Sequence, residues 1–243
     1  MQHPVLNKIH SSWYPILSLI NQPPLSTLKN EILPKTNYSP KKEDIFNVFS
    51  MPVDEVKVVI IDQEPHLTKN EAIGYGFATF KERDTPKSLK ILAKELQINY
   101  PLWRGSQQEG WKELQSWRDS GVFLLNLALT VEIGNAESHL HYWERFTKNV
   151  IHFISKENPC IWIMMGKKAQ MFIPQIANSF MVKGYHRRNL HKMPFDPREN
   201  HIFSIPHPTA EIYSEGNAGF YGSDAFYLTN MILHQKGKDE ILW

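Results

Sequence analysis

Four short apolar segments, each bounded by polar or turn residues, form the main hydrophobic pattern of the chain. They cover residues 56–61, 122–125, 161–165 and 201–205. Their length and their content of β-branched residues predict buried strands. Residues 88–96 and 143–154 instead repeat apolar side chains every three or four positions, which predicts amphipathic helices.

Strands that alternate with helices predict a parallel sheet covered by helices on both faces. The expected fold is therefore a three-layer α/β/α arrangement with a central four-stranded parallel sheet. The sequence contains no internal repeat and no low-complexity linker, so we expect one domain over residues 1–243.

Composition excludes several classes of protein. The 27 Lys and Arg residues nearly balance 25 Asp and Glu residues, so overall charge does not indicate a nucleic-acid binder. The single cysteine, Cys160, excludes a disulfide framework and a multi-cysteine zinc site. Residues 1–12 have no apolar core of a secretory signal, and no segment reaches the roughly 20 apolar residues of a membrane span. We therefore expect a soluble cytoplasmic protein without membrane contact.

A polar cluster follows each predicted strand. Residues 62–66 follow the first strand, Asn126 ends the second, residues 166–168 follow the third, and residues 206–209 follow the fourth. Ligands of open α/β sheets bind beyond the carboxyl ends of the strands. Each cluster alone is typical of a turn, but the four together favour a site.

At these residues the sequence resembles the uracil-DNA glycosylase family. Residues 56–67 occupy the place of the family's V-K-V-V-I-L-G-Q-D-P-Y-H, and residues 121–131 are close to G-V-L-L-L-N-x-x-L-T-V. Residues 165–170 resemble W-G-x-x-A-Q, residues 206–209 resemble the H-P-S-P-L-S loop, and residues 219–222 match G-F-F-G. The resemblance implies the same three-layer fold and a protein that flips uracil out of DNA and removes it in base excision repair.

The resemblance also implies roles for individual residues. The catalytic positions are Glu64, which replaces the water-orienting aspartate, and His207, which donates to uracil O2. The base-binding positions are Gln63, His66, Phe77 and Asn126, and the DNA-binding positions are Ser88, Gly166, Lys167, Thr209, Ile212 and Tyr213. Family members need no metal or cofactor and are mostly monomers.

The family's most specific loop is rewritten in this chain. Asp62 replaces glycine, Glu64 replaces aspartate, His66 replaces tyrosine and Leu67 replaces histidine. Glutamate moves the carboxylate by about 1 Å, and a misplacement of that size can cost roughly 10²-fold in rate. His66 is smaller than the tyrosine that excludes the thymine methyl group in the family.

The loop that carries the family's leucine wedge also differs. Glu211 in the wedge position is unfavourable, because a carboxylate gains nothing inside a base stack, whereas Ile212 or Tyr213 could fill the gap. Residues 183–198 carry several Lys, Arg and His side chains, which form either a solvated face or a track for phosphates.

Three functions fit these observations. The first is a glycosylase relative, in effect a pseudoenzyme, with strongly reduced or no uracil excision that retains DNA or protein binding. The second is an active glycosylase with altered base specificity. The third is a decoy that binds the DNA-mimicking inhibitor proteins of this family.

Overall fold

The computed structural model describes residues 8–80 and 82–243, so the first seven residues of the segment inspected for a secretory signal lie outside it. Within these ranges, the strands are β1 (Tyr38–Ser39), β2 (Val58–Asp62), β3 (Val122–Asn126), β4 (Val131–Glu132), β5 (Ile161–Met165), β6 (Ser179–Met181) and β7 (Asn200–Ile205). The helices are α1 (Tyr14–Leu17), α2 (Leu25–Thr27), α3 (Lys87–Asn99), α4 (Gln115–Asp119), α5 (Leu140–Glu157), α6 (Gly166–Gln170), α7 (Ala210–Tyr213) and α8 (Ala225–Gln235).

Five of the strands form one parallel sheet in the order β3-β2-β5-β7-β6. The four predicted strands are β3, at one edge, and β2, β5 and β7 in the centre, which confirms the parallel three-layer fold. The predicted count of four strands is wrong by one, because β6 pairs with β7 and forms the other edge. β6 has only three residues, and its burial runs exposed, half-buried, exposed, so it lacks the apolar run that identified the others. β1 and β4 pair separately and antiparallel.

The helices cover both faces of the sheet. Side chains that alternate along β2, such as Val59 and Ile61, pack with α5 on one face, whereas Val58 and Ile60 pack with α3 and α8 on the other. This alternation is the two-residue period of a strand buried on both faces. The predicted helices at 88–96 and 143–154 are confirmed within α3 and α5.

The buried His201 in β7 makes stability depend on pH. Its Nδ1 lies 3.1 Å from the carbonyl oxygen of Glu199, and its ring stacks on Phe195 with centroids 5.5 Å apart. Burial, together with the nearby Lys236 ammonium, lowers the pKa of His201 to about 4. Between about pH 6.5 and pH 4 this ring is therefore protonated in the unfolded chain but neutral in the folded chain. The free energy of unfolding falls as the pH falls through this window.

We expect His201→Phe to remove that acid sensitivity. By pH 4 the wild type should lose about 3 kcal/mol of unfolding free energy through this group, and the variant should not. Urea unfolding at pH 7, 5 and 4 measures the difference. The exposed His234, changed to alanine, is the control and should keep the wild-type slope. An equal slope in wild type and His201→Phe would contradict the prediction.

Candidate active site

The carboxyl ends of β2 and β3 place two polar side chains next to each other. Asp62 and Asn126 are directly paired across the two strands, and each is the last residue of its strand. Asn126 is 4% exposed, and its Oδ1 has no hydrogen-bond partner among the described residues. A buried amide with a free acceptor is costly unless a ligand or water satisfies it. Among the described residues this acceptor is therefore free, at the position for which the sequence predicts base recognition.

The loop after β2 holds Glu64 against a distant turn. The backbone N–H of Glu137 donates to Glu64 Oε2 at 2.7 Å, and the side chain of Gln63 donates to Oε1 at 3.2 Å. Burial raises the pKa of Glu64, and these two donors oppose the rise. Glu137 has a φ of 63° and is held by Lys168, whose ammonium lies 2.7 Å from its carboxylate. Nothing in the sequence pattern marks Glu137, so sequence reasoning missed this contact.

His66, in the same loop, carries a buried ring nitrogen. Its Nε2 has no hydrogen-bond partner among the described residues. The family's tyrosine position therefore holds a smaller ring here, with a polar atom that no neighbouring group satisfies.

Phe77 reaches the same edge on a strained turn. Its φ is 62°, a left-handed conformation that is unusual for an aromatic residue, and its side chain is buried. The preceding Gly76 allows this close approach, because a Cβ there would lie 3.1 Å from the Cβ of Asp62 and 3.3 Å from the carbonyl oxygen of Leu125. The ring of Phe77 faces that of His207, with centroids 5.9 Å apart and planes 29° from parallel.

His207 follows β7 and is held by its own loop. The backbone N–H of Thr209 donates to His207 Nδ1 at 3.2 Å, and the Thr209 hydroxyl lies 2.8 Å from the same atom. Gly166 stands beside the ring, where a Cβ would come within 2.9 Å of the His207 Cβ. The other ring nitrogen, Nε2, lies 3.8 Å from Asp62 Oδ1. The structure thus brings together Asp62, Asn126, Phe77 and His207.

Asp62 makes contacts that the sequence did not predict. Its Oδ1 accepts from the backbone N–H of Gln63 at 2.8 Å, and its Oδ2 accepts from that of Phe77 at 3.1 Å. The side chain is 15% exposed. The carboxylate therefore lies at the same edge of the sheet as Asn126, Phe77 and His207.

In the loop after His207, Glu211 is buried, whereas the next two side chains, Ile212 and Tyr213, are exposed. Glu211 is buried, and it accepts the backbone N–H groups of Ala218, Phe220 and Tyr221 at 3.2, 2.6 and 3.1 Å. Ile212 and Tyr213 are exposed, Tyr213 by 87%. Glu211 thus packs inside the protein, and the two candidate wedge residues face solvent.

The remaining predicted residues lie at helix starts. Ser88 is in the first turn of α3, and Gly166 and the exposed Lys167 begin α6 directly after β5. No hydrogen bond joins Ser88 to the other site residues in residues 8–80 and 82–243. In the basic stretch 183–198, Arg187 pairs with Asp224 and Arg198 with Asp196, both at 2.7 Å.

One cavity lies apart from this edge of the sheet. An apolar cavity of about 670 Å³ is lined by residues between positions 17 and 46, including Leu25 and Phe46, and by Trp143 of α5. In the described ranges, no helix is long and apolar enough to cross a membrane.

Comparisons with known proteins agree on one family. The model of the uracil DNA glycosylase superfamily matches residues 49–227. The uracil-DNA glycosylase of Mycoplasmopsis pulmonis is 38% identical over 89% of this chain and 86% of its own length, and that of Yersinia enterocolitica is 34% identical over 86% and 82%. The crystal structure of mimivirus uracil-DNA glycosylase is 20% identical, covers 98% of this chain and 88% of its own, and has a TM-score of 0.78.

Proposed function

The chain belongs to the uracil-DNA glycosylase superfamily, and we propose that its excision of uracil is strongly reduced while binding to DNA is retained. Base excision in this family needs a carboxylate that orients water toward the sugar. The two hydrogen bonds that hold the Glu64 carboxylate are the observation that carries the proposal.

Both oxygens of Glu64 are already engaged. The Glu137 N–H donates at 2.7 Å, a length typical of a strong bond to an ionised acceptor. Gln63 takes the other oxygen. Turning Glu64 toward a water at the base pocket requires breaking these bonds and leaving the Glu137 N–H without its acceptor. The added methylene and the tether therefore both displace the carboxylate from where the chemistry needs it.

The binding parts of the site support retained contact with DNA. Asn126, Phe77 and His207 keep the identities and the convergence expected of a base pocket. Exposed Lys167 and the loop of Thr209 flank it, and Ile212 and Tyr213 offer apolar surface at the wedge position. Phosphate contacts to such groups position DNA without requiring catalysis.

We expect the purified protein to release uracil from a single-stranded oligonucleotide at least about 100-fold more slowly than the Mycoplasmopsis pulmonis relative. Alkali-labile cleavage of a fluorescent oligonucleotide with one uracil, measured with excess protein and long incubation, gives this rate. Any residual cleavage should disappear in His207→Ala and persist in His234→Ala. Release as fast as that of the relative would contradict the proposal.

The buried Nε2 of His66, which has no partner within the described part of the chain, favours a second function, excision of a base with a substituent at C5. The smaller ring leaves room where tyrosine would exclude a methyl group, and the free nitrogen can pair with a polar substituent. A panel of thymine and 5-substituted uracils in the same assay tests this. Uniformly absent cleavage across the panel would remove this function.

A third function is binding of inhibitor proteins. Structures of mimivirus UNG variants in complex with UGI, 19% and 21% identical to this chain, share the fold. If this chain is a decoy for such proteins, it should bind UGI at micromolar concentration. No binding in that range would count against this role.

A further inference from the structure

Two backbone N–H groups donate to the carboxylate of Asp62, and a ring nitrogen of His207 faces it. The N–H of Gln63 and the N–H of Phe77 each reach one of its oxygens, at 2.8 and 3.1 Å. His207 Nε2 lies 3.8 Å from the same oxygen that accepts from Gln63. These donors come from three separate segments, after β2, before α3 and after β7, so their convergence is a property of the folded site.

The hydrogen bonds of His207 fix where its proton lies. Because a backbone N–H can only donate, the contact from Thr209 makes Nδ1 an acceptor. In the neutral ring the proton is then on Nε2, the nitrogen that faces Asp62. The Gln63 N–H and the His207 Nε2–H are therefore both directed toward Asp62 Oδ1, while the Phe77 N–H donates to Oδ2.

The two donors directed at Oδ1 suit a single carbonyl oxygen or a developing oxyanion. A free acceptor lies beside these donors: Asn126 is paired across the sheet from Asp62, and its buried Oδ1 has no partner in residues 8–80 and 82–243. Donors at one end and a free amide beside them complement the carbonyl and N–H groups of a pyrimidine edge. In this chain, however, the donors are already taken by a carboxylate.

We propose that Asp62 determines what this pocket accepts, because its carboxylate stands in the place of the base's carbonyl oxygen and excludes pyrimidines. A carbonyl oxygen that enters against it meets a negative charge and must take N–H groups that a carboxylate holds more strongly. This inference rests on the proposed function, since it assumes that the pocket is a base pocket. It adds a barrier at binding that is independent of the position of Glu64.

Free uracil is the probe that tests this step apart from catalysis. We expect Asp62→Gly to bind uracil at least about 100-fold more tightly than wild type, since two bonds to a charged acceptor no longer compete with the ligand. Titration followed by ¹H–¹⁵N NMR measures the affinity and reports the Gln63 and Phe77 amides directly. Those two signals should move upfield in the variant and return downfield when uracil is added.

Matched variants sharpen the result. Asp54→Ala removes an exposed carboxylate in the turn before β2 and should bind uracil as wild type does. Asp62→Ala repeats the test with a side chain that has no acceptor, in case glycine loosens the loop. Equal uracil affinity in wild type, Asp62→Gly and Asp62→Ala would overturn the proposal.

A measurement on the wild type keeps the proposal testable even if both variants fail to fold. At neutral pH, NMR scalar couplings across hydrogen bonds should join the amide protons of Gln63 and Phe77 to the ¹³Cγ of Asp62. Absence of both couplings would overturn the proposal. Fast uracil release by wild type would instead contradict the proposed function, whereas uracil binding in Asp62→Gly without excision is expected if both hold.

Discussion

Restoring all four altered positions of the loop after β2 is expected to raise uracil excision about 10⁴-fold over wild type. The variant combines Asp62→Gly, Glu64→Asp, His66→Tyr and Leu67→His. Removal of the Asp62 carboxylate frees the donors for the base, which is worth about 10²-fold in binding. The shorter Glu64→Asp side chain returns the carboxylate by about 1 Å, which is worth about another 10²-fold in rate.

The partial variants test whether Asp62 impairs base binding and Glu64 impairs catalysis separately. Glu64→Asp alone should gain little, because the pocket stays closed, and Asp62→Gly alone should bind uracil but excise it slowly. The fourfold variant that also carries His207→Ala should lose the regained activity. The same oligonucleotide assay measures every member of the series. A folded fourfold variant, checked by circular dichroism, that is no faster than wild type would show that the defect lies outside this loop.

The sequence was sufficient to predict the fold where apolar runs are continuous. β2, β3 and β5 are buried on both faces, and such strands leave a nearly unbroken hydrophobic signal. β6 has no such signal, since it lies at the edge and exposes two of its three residues. An edge strand of that length is specified by its neighbour, Asn200–Ile205, more than by its own side chains.

The polar residues at the strand ends could also be predicted, because parallel strands deliver their carboxyl ends to one edge. Asn126 and Asp62 are paired as this rule requires. The partners of Glu64 and Asp62 could not be predicted. Glu137 is 73 residues from Glu64, and Phe77 is 15 residues from Asp62 on a left-handed turn, so these contacts exist only after the chain has folded. The substitutions were visible in the sequence, but the way each one alters the pocket required the structure.

Glu211 is expected to stabilise the loop that carries the wedge candidates. Its buried carboxylate accepts three backbone N–H groups, from Ala218, Phe220 and Tyr221, and so joins the segment after His207 to the segment before α8. Glu211→Ala leaves these donors without an acceptor, and we expect a loss of about 3 kcal/mol in the free energy of unfolding, measured in urea.

The conservative variant separates hydrogen bonding from side-chain volume. Glu211→Gln keeps one acceptor oxygen and should lose about half as much as Glu211→Ala, whereas Glu157→Ala, at an exposed position in the last turn of α5, should stay within about 0.5 kcal/mol of wild type. If Glu211→Ala were as stable as Glu157→Ala, the three hydrogen bonds would contribute nothing to the fold.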